Sequence, residues 1–294
     1  MKFDFIEAEK ARHSVPKLCR MLRVSKSGYY ASRTRQPSQR ALEDARLGTL
    51  VVRAHRLGRG SYGSPRVVDE LREQGERVGR RRIARLMKER GLFGEMEKKW
   101  RHPPGELTTD PCEPNELDRR FKVAAPNRAW VCDFTYVRTW EGWLYVAVVI
   151  DLFSRRVVGW SMQEHMRSDL VVDALTMAVG QRLPEPGLLA HSDRGSQYTS
   201  GDYRSALKSH GITCSMSRRG NCWDNAVAES FFAMLKVELV HDVIFTSREA
   251  AKTTIAEWIE IFYNGKRRHS SLDYLPPLEF ERRYYESLER AEVA

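Results

Sequence analysis

The sequence has no long hydrophobic run. Its longest apolar stretch, around 144–150, is far too short to span a bilayer, so a transmembrane helix is excluded. No charged and then apolar secretory leader opens the chain, and a soluble, cytoplasmic protein is expected. The five cysteines (Cys19, Cys112, Cys132, Cys214 and Cys222) include no C-x-x-C pair and keep no regular spacing. That excludes a disulfide framework and points to reduced thiols. His13 and Cys19 have no zinc-site spacing to His102 or Cys112, so structural zinc is not expected. Sustained a/d heptads, and hence a coiled coil, are also missing.

What is present is enough to fold. The chain has 294 residues, 41% hydrophobic and 10% aromatic, which allows a substantial core and about two domains. Lysine and arginine number 49 against 39 acidic residues, a net +10. Residues 1–100 hold 25 basic and 12 acidic side chains, so this stretch carries +13 and the remainder −3. An excess gathered at one end favours a polyanion, because neutralising phosphates releases counterions. The bland alternative is a solvated basic surface.

Helical spacing of Val15, Leu18, Cys19 and Leu22, broken at Val24-Ser25 and then restarted, predicts a helix-turn-helix over 14–30. Its second helix presents Ser25, Lys26 and Ser27 at the end where such modules meet DNA. A helix over about 41–57 follows, then a second short pair. In that pair Ser64 is the expected N-cap with Pro65 at the first helical position. Ile83, Leu86 and Met87 form an apolar face, and Arg80, Arg81, Arg82, Arg85 and Lys88 crowd the rest, as suits a phosphate backbone. The segment 94–126, with turns at His102-Pro103-Pro104, Asp110-Pro111 and Glu113-Pro114, is the expected linker between a helical region (1–93) and a core (127–242). A helical extension over 243–294 completes the chain.

Within the core, RAWVCDFTYVRT, WLYVAVVIDL and RRVVGWSM are β-rich runs with very short breaks, which predicts an antiparallel meander. Helices are expected near 168–181, 201–210 and 223–240, with short strands at 188–191 and 212–214, giving an α/β layer domain. Three acids stand in special settings. Asp133 interrupts a strand otherwise suited to burial, where a divalent cation compensates a costly carboxylate; pairing with arginine or an amide is the alternative. Asp193 follows an apolar strand at a turn, where open α/β sheets gather ligands, though a turn-forming Asp looks the same. Glu229 shares a helix edge with Lys236, since seven residues turn a helix to within about 20° of a full repeat. A surface ion pair is the plain alternative there. Together the acids could hold two Mg²⁺ or Mn²⁺ ions for in-line phosphoryl displacement.

The stretches WVCDFTYV, VIDLFSRRVVGW, HSDRGSQY, SRRGNCWDNAVAESFFAMLKVEL and YNGKRRHSSLDYLPPLEF, with the helix-turn-helix, resemble the OrfB-type transposases of insertion-sequence family three. The resemblance spans nearly the whole chain. It implies an RNase H-like, retroviral integrase-type catalytic core with an all-α helix-turn-helix amino-terminal region. It also implies that Asp133, Asp193 and Glu229 are the catalytic D, D and E, and that Lys236 is the basic residue seven positions after the Glu. Double-stranded DNA (terminal inverted repeats and target), assembly at least as a dimer, an upstream-frame product and a copy-out, paste-in route follow from the same resemblance. The chain is expected to be the downstream product or a truncated fusion. His191 and Gln197 flank Asp193 as supporting groups, and Asn225 is open between DNA contact and a hydrogen bond to the loop. Asp151 and Arg155 are expected to orient strands or pair at a turn. Tyr263, Asn264, Arg267, Arg268 and His269 suit either DNA contact or a tail packed on the core. Two rivals share parts of the pattern: a nuclease that hydrolyses without joining, and a DNA-binding regulator whose acids are structural.

Overall fold

A computed structural model describes residues 2–95, 112–218, 222–240 and 243–293. Contacts divide the chain into two compact units, Met1–Arg53 and Ala54–Ala294. The second helix pair belongs to the larger unit.

The smaller unit holds α1 (Lys2–Glu9), α2 (Val15–Met21) and α3 (Lys26–Thr34). Ile6, Leu18, Cys19 and Tyr29 are its buried centre, with Phe3, Val15, Leu22 and Val24 packed around them. Pro16 lies in the first turn of α2, where its missing N–H leaves no bond unmade. Arg23, at φ 52°, turns the chain after α2. Ser25 then caps α3, its Oγ accepting from the Gly28 N–H at 3.0 Å. The helix-turn-helix thus forms where the spacing places it. A 2.6 Å bond from the Tyr29 hydroxyl to Glu7 ties α3 to α1. The next helix, α4 (Gln39–Leu57), contains the division between the units.

The larger unit begins with α5 (Ser64–Glu73) and α6 (Arg80–Glu89), which bury Val67, Val68 and Leu71 against Ile83, Leu86 and Met87. Gly63, not Ser64, is the N-cap of α5, one residue earlier than expected. The turns at 102–104 and 110–111 lie outside the described residues. The rest of the expected linker, 112–126, forms no helix or strand, yet it is fixed to the core. Leu117 is buried, and the Glu116 and Leu117 N–H groups donate to Ser215 Oγ at 3.0 and 3.2 Å.

The sheet contains β1 (Ala129–Thr139), β2 (Gly142–Asp151), β3 (Val157–Gln163), β4 (Leu189–Ser192) and β5 (Thr213–Met216) in the order β3-β2-β1-β4-β5. The first three make the expected antiparallel meander, while β4 and β5 run parallel to β1. On one face Trp130, Cys132, Ala147, Val149 and Val158 pack against α7 (Ser168–Arg182), α8 (Ser196–Thr199) and α9 (Gly201–Ser209). Gly159 permits the close approach of β3 to α7, since a Cβ there would stand 2.2 Å from the Ala174 carbonyl oxygen. Strand alternation sends Val131, Asp133 and Thr135 to the opposite face. There β1 meets α10 (Ala226–Leu235) and α11 (Arg248–Glu257), and α12 (Pro277–Val293) closes the chain. A 3₁₀ turn over Cys222–Asn225 leads into α10, and a π-helical turn over Lys236–Val240 continues it. Among the described residues no helix is long and apolar enough to cross a membrane.

Candidate active site

The parallel register of β1 and β4 pairs Val131 with His191. Two residues further on, Asp133 and Asp193 reach equivalent positions on adjacent strands, which in a sheet lie about 4.8 Å apart. Since β4 ends at Ser192, Asp193 leaves the sheet at the carboxyl end of its strand. The main chain fixes one oxygen of each acid. Phe134 N–H donates to Asp133 Oδ1 at 2.8 Å, and Gly195 N–H donates to Asp193 Oδ1 at 2.9 Å. A side chain at position 195 would crowd that oxygen, because a Cβ there falls 3.1 Å from it.

Glu229 arrives from the other side of the sheet edge. Asn225 Nδ2 donates to the Cys132 carbonyl at 3.3 Å, which pins the start of α10 beside the residue preceding Asp133. Glu229 follows one helical turn later. Burial pushes the Asp133 carboxyl well above the usual carboxylate range, and the charges of Asp193 and Glu229 push it further; the Phe134 amide and Lys236 pull the other way. Asp193 is also raised by burial, opposed by the Gly195 amide. Lys236 is lowered by burial and held up by Asp133, with its ammonium 5.6 Å from the Tyr136 ring centroid. Asp193, Glu229 and Lys236 therefore all act on Asp133. The donors are all carboxylate oxygens, and a cation would relieve their mutual repulsion, so the set fits hard divalent ions. Among the described residues no three His, Cys, Asp or Glu side chains form a closed ligand cluster as they stand.

His191 and Gln197, which flank Asp193, and Asp151 and Arg155 after β2 each hold a neighbouring segment in place. His191 is fully buried, its ring nitrogens 2.8 and 3.2 Å from Ser215 Oγ and Ser217 Oγ, so it fastens β4 to β5. Burial lowers its pKa to about 4, keeping the ring neutral. Gln197 donates to the Met166 carbonyl at 2.7 Å, tying the Asp193 loop to the approach of α7. Asp151 accepts from the Asn127 and Phe153 amides, both at 2.8 Å, and so orders the turn after β2; Arg155 donates to the Phe121 carbonyl.

The carboxy-terminal pair requires correction. Arg267 and Arg268 were expected among the DNA contacts, but they are buried at 2% and 4% exposure. Arg267 grips Glu238 with Nε and Nη2, the latter at 2.6 Å. Arg268 binds Asp69, Glu70 and Glu73 of α5. Their charge is spent inside the fold, which answers for the packed tail. Asn264 likewise bridges both main-chain groups of Val157, each at 3.0 Å. Arg80 and Arg81 remain exposed on α6, whereas Arg82 and Arg85 are half-buried and Arg85 pairs with Glu89 at 2.6 Å. Ser25 and Lys26 are exposed at the start of α3.

One residue has no counterpart in the sequence expectations. Asp224, wholly buried just ahead of α10, accepts from Arg119 Nε (2.8 Å), Asn115 Nδ2 (2.8 Å) and Arg218 N, Nε and Nη2 (3.0, 2.9 and 2.9 Å). These bonds hold its carboxyl far below the usual range, with Arg218 the largest cause. The clamp joins the end of the expected linker to the turn that carries Asn225 and Glu229.

Family models agree with this geometry. Two models described as Integrase core domain match residues 123–222 and 210–277, and one described as HTH-like domain matches 41–100. Transposase InsF for insertion sequence IS3A of Escherichia coli (strain K12) is 42% identical over 283 residues, covering 96% of this chain and 98% of that protein. The chain belongs to the transposases of the IS3 family. This transposase is also 43% identical over 269 residues to the Insertion element IS600 uncharacterized 31 kDa protein of Shigella sonnei, covering 92% and 99% of the two. Among solved structures, the HTLV-2 integrase catalytic core domain in complex with magnesium aligns at a TM-score of 0.41 and 15% identity, over 53% of the transposase and 97% of that chain. By its family models the transposase has the expected integrase-type core, with the mixed α/β sheet described above, and a helical amino-terminal region containing an HTH-like domain.

Proposed function

We propose that the transposase cuts and joins DNA strands at the ends of its own element, with Asp133, Asp193 and Glu229 as the catalytic triad. The observation that carries the proposal is the convergence of these acids: Asp133 on β1, Asp193 just past the end of the neighbouring parallel strand β4, and Glu229 on α10, the last two with charges that act on the first. When bound by the three carboxylates, two Mg²⁺ or Mn²⁺ ions supply charge to both the attacking and the leaving oxygen of an in-line displacement. The protein's own part is placement. Main-chain amides of Phe134 and Gly195 hold one oxygen of each aspartate. Asn225 sets the distance of Glu229 from β1, and Lys236 offers a cation to a nearby phosphate.

In this scheme water first attacks a phosphodiester at the element's terminus and frees a 3′ hydroxyl. That hydroxyl then attacks a second phosphodiester, and no covalent protein intermediate forms. Family membership supports a copy-out, paste-in order through a circular intermediate. It also supports assembly on DNA at least as a dimer, partnership with the upstream-frame product, and work at the nucleoid in the cytoplasm. Ser25, Lys26, Arg80 and Arg81 are the exposed residues best placed to meet the terminal repeats and target.

The test uses labelled element ends with Mg²⁺ or Mn²⁺. Asp133→Asn, Asp193→Asn and Glu229→Gln are each expected to lower nicking and joining by about three orders of magnitude or more while DNA binding persists. Full joining of pre-cleaved ends by any of them removes that residue from the triad. Nicking without joining by the wild type favours the nuclease alternative.

A further inference from the structure

Beyond Asp133 the strand pair β1–β2 runs on past the end of β4, and its tip carries a cluster of aromatic side chains that the fold leaves uncovered. Tyr136 is 50% exposed, Trp143 46% and Trp140 71%. Tyr136 lies directly across from Tyr145 in the ladder, and Trp143 lies across from Arg138. Alternation puts Tyr136, Arg138, Trp143 and Tyr145 on one face of the sheet. The rings are held at fixed angles: Tyr136 meets Trp143 edge-on with centroids 5.0 Å apart, and Tyr145 at 6.5 Å. Large rings left half in water at a shared surface mark a place where something binds.

Chemistry and position identify the occupant. Lys236 holds its ammonium 5.6 Å from the centre of the Tyr136 ring, and Arg138 is exposed beside Trp143. Flat apolar faces interleaved with cations suit nucleic acid, since bases stack on aromatic rings while the cations meet the backbone. Tyr136 stands three residues, about 10 Å along an extended strand, beyond Asp133. Alternation puts the cluster on the face opposite Asp133, and Lys236, which feels the charge of Asp133 and lies near the Tyr136 ring, connects the carboxylates to it past the end of β4.

We infer that Tyr136 and Trp143 form a stacking platform for an unpaired base of the DNA end, next to the phosphate that reacts. The inference rests on the proposed cutting and joining of DNA. The platform holds the end open: the base leaves its helical stack, settles against the indole and phenol faces, and Lys236 and Arg138 take the adjoining phosphates. It deepens the role of Lys236, which links the platform to the helix that carries Glu229.

Binding without metal separates this inference from the chemistry. Fluorescence anisotropy of the full chain would compare a short labelled duplex ending in a few unpaired thymidines with the same duplex ended flush. Wild type is expected to prefer the open end by roughly ten-fold, because each stacked base contributes an effect of that order. Trp143→Ala and Tyr136→Ala should erase the preference, and Trp143→Phe and Tyr136→Phe should keep most of it. Equal affinity of wild type for both ends, or a preference that survives both alanine variants, overturns the platform while leaving the triad untouched. Altered sedimentation of the free alanine variants with the preference intact would make the cluster an interface between copies, and also overturns it. Failure to bind either duplex defeats the DNA-acting proposal itself.

Discussion

The larger unit contains two kinds of buried acid. Asp224, Glu238 and Glu281 each face guanidinium groups: Asp224 meets Arg119 and Arg218, Glu238 meets Arg267, and Glu281 meets Arg156 and Arg182. Among the described residues no arginine pairs with Asp133 or Asp193; main-chain amides hold one oxygen of each, and the charges of Asp193 and Glu229 act on Asp133. Asp224 is driven below the usual carboxylate range and Asp133 above it, although Asn225, adjacent to Asp224, touches the residue preceding Asp133. A fold able to neutralise three acids with arginine has left two others unbalanced. Unneutralised charge costs stability and is useful where a cation is to be bound, so the contrast separates the carboxylates that build the frame from those that the frame presents.

The contrast breaks most visibly in activity. Asp133→Asn should abolish joining without loss of folding, because it removes a charge that burial and its neighbours oppose. The next largest effect is expected in stability. Arg267→Ala strands Glu238, whose side chain is only 3% exposed, and leaving a buried charge without its partner costs about 3–5 kcal/mol. Urea denaturation would read that loss, and Arg267→Lys should recover part of it, since one ammonium replaces a two-pronged grip. An Arg267→Ala protein as stable as wild type would mean that Glu238 does not depend on this partner.

Asp224→Ala should be milder, about 2 kcal/mol. It removes the acid, and the cations left behind, Arg119 and Arg218, are 45% and 48% exposed and can turn to water. The clamp holds the turn ahead of Glu229, so joining should fall by more than the loss of folded protein accounts for. Equal losses of folding and joining at matched temperature would limit Asp224 to the frame.

Much of this was legible in the sequence because it is local. Alternating and helical periodicity placed β1 to β3, α7 and α10 close to where they form, and the restart after Val24-Ser25 marked the start of α3. The settings of Asp133 and Asp193 were legible for the same reason, since a strand interior and a strand-end turn are properties of a few neighbouring residues. Partnership was not. Arg268 finds Glu70 across 198 positions and Asp224 finds Arg119 across 105, so their residue types suggested surface charge or nothing at all. Arg267 and Arg268 look like a DNA-facing pair until the acids that enclose them are seen. Arg268 likewise fastens α5 to the core through a contact that no local pattern displays.

The smallest effect tests the cationic side of the contrast. His269 is 5% exposed, and its pKa is lowered well below the ordinary 6.5, chiefly by burial and then by Arg267, Arg66 and Arg155. Its ring packs edge-on to Tyr263 at 4.8 Å. The folded protein therefore keeps this ring neutral where the unfolded chain would protonate it. Because the unfolded state binds more protons, the stability contributed is whole above about pH 6.5 and declines as pH falls below it, by up to about 1.4 kcal/mol per pH unit for one such group. His191 adds to the decline with the same sign, so the informative quantity is the difference between proteins. His269→Gln should lose less stability than wild type between pH 7 and pH 5.5, as read by urea midpoints, whatever its stability at neutral pH. Parallel pH curves for the two proteins would show that burial and the surrounding guanidiniums do not keep His269 neutral in the fold.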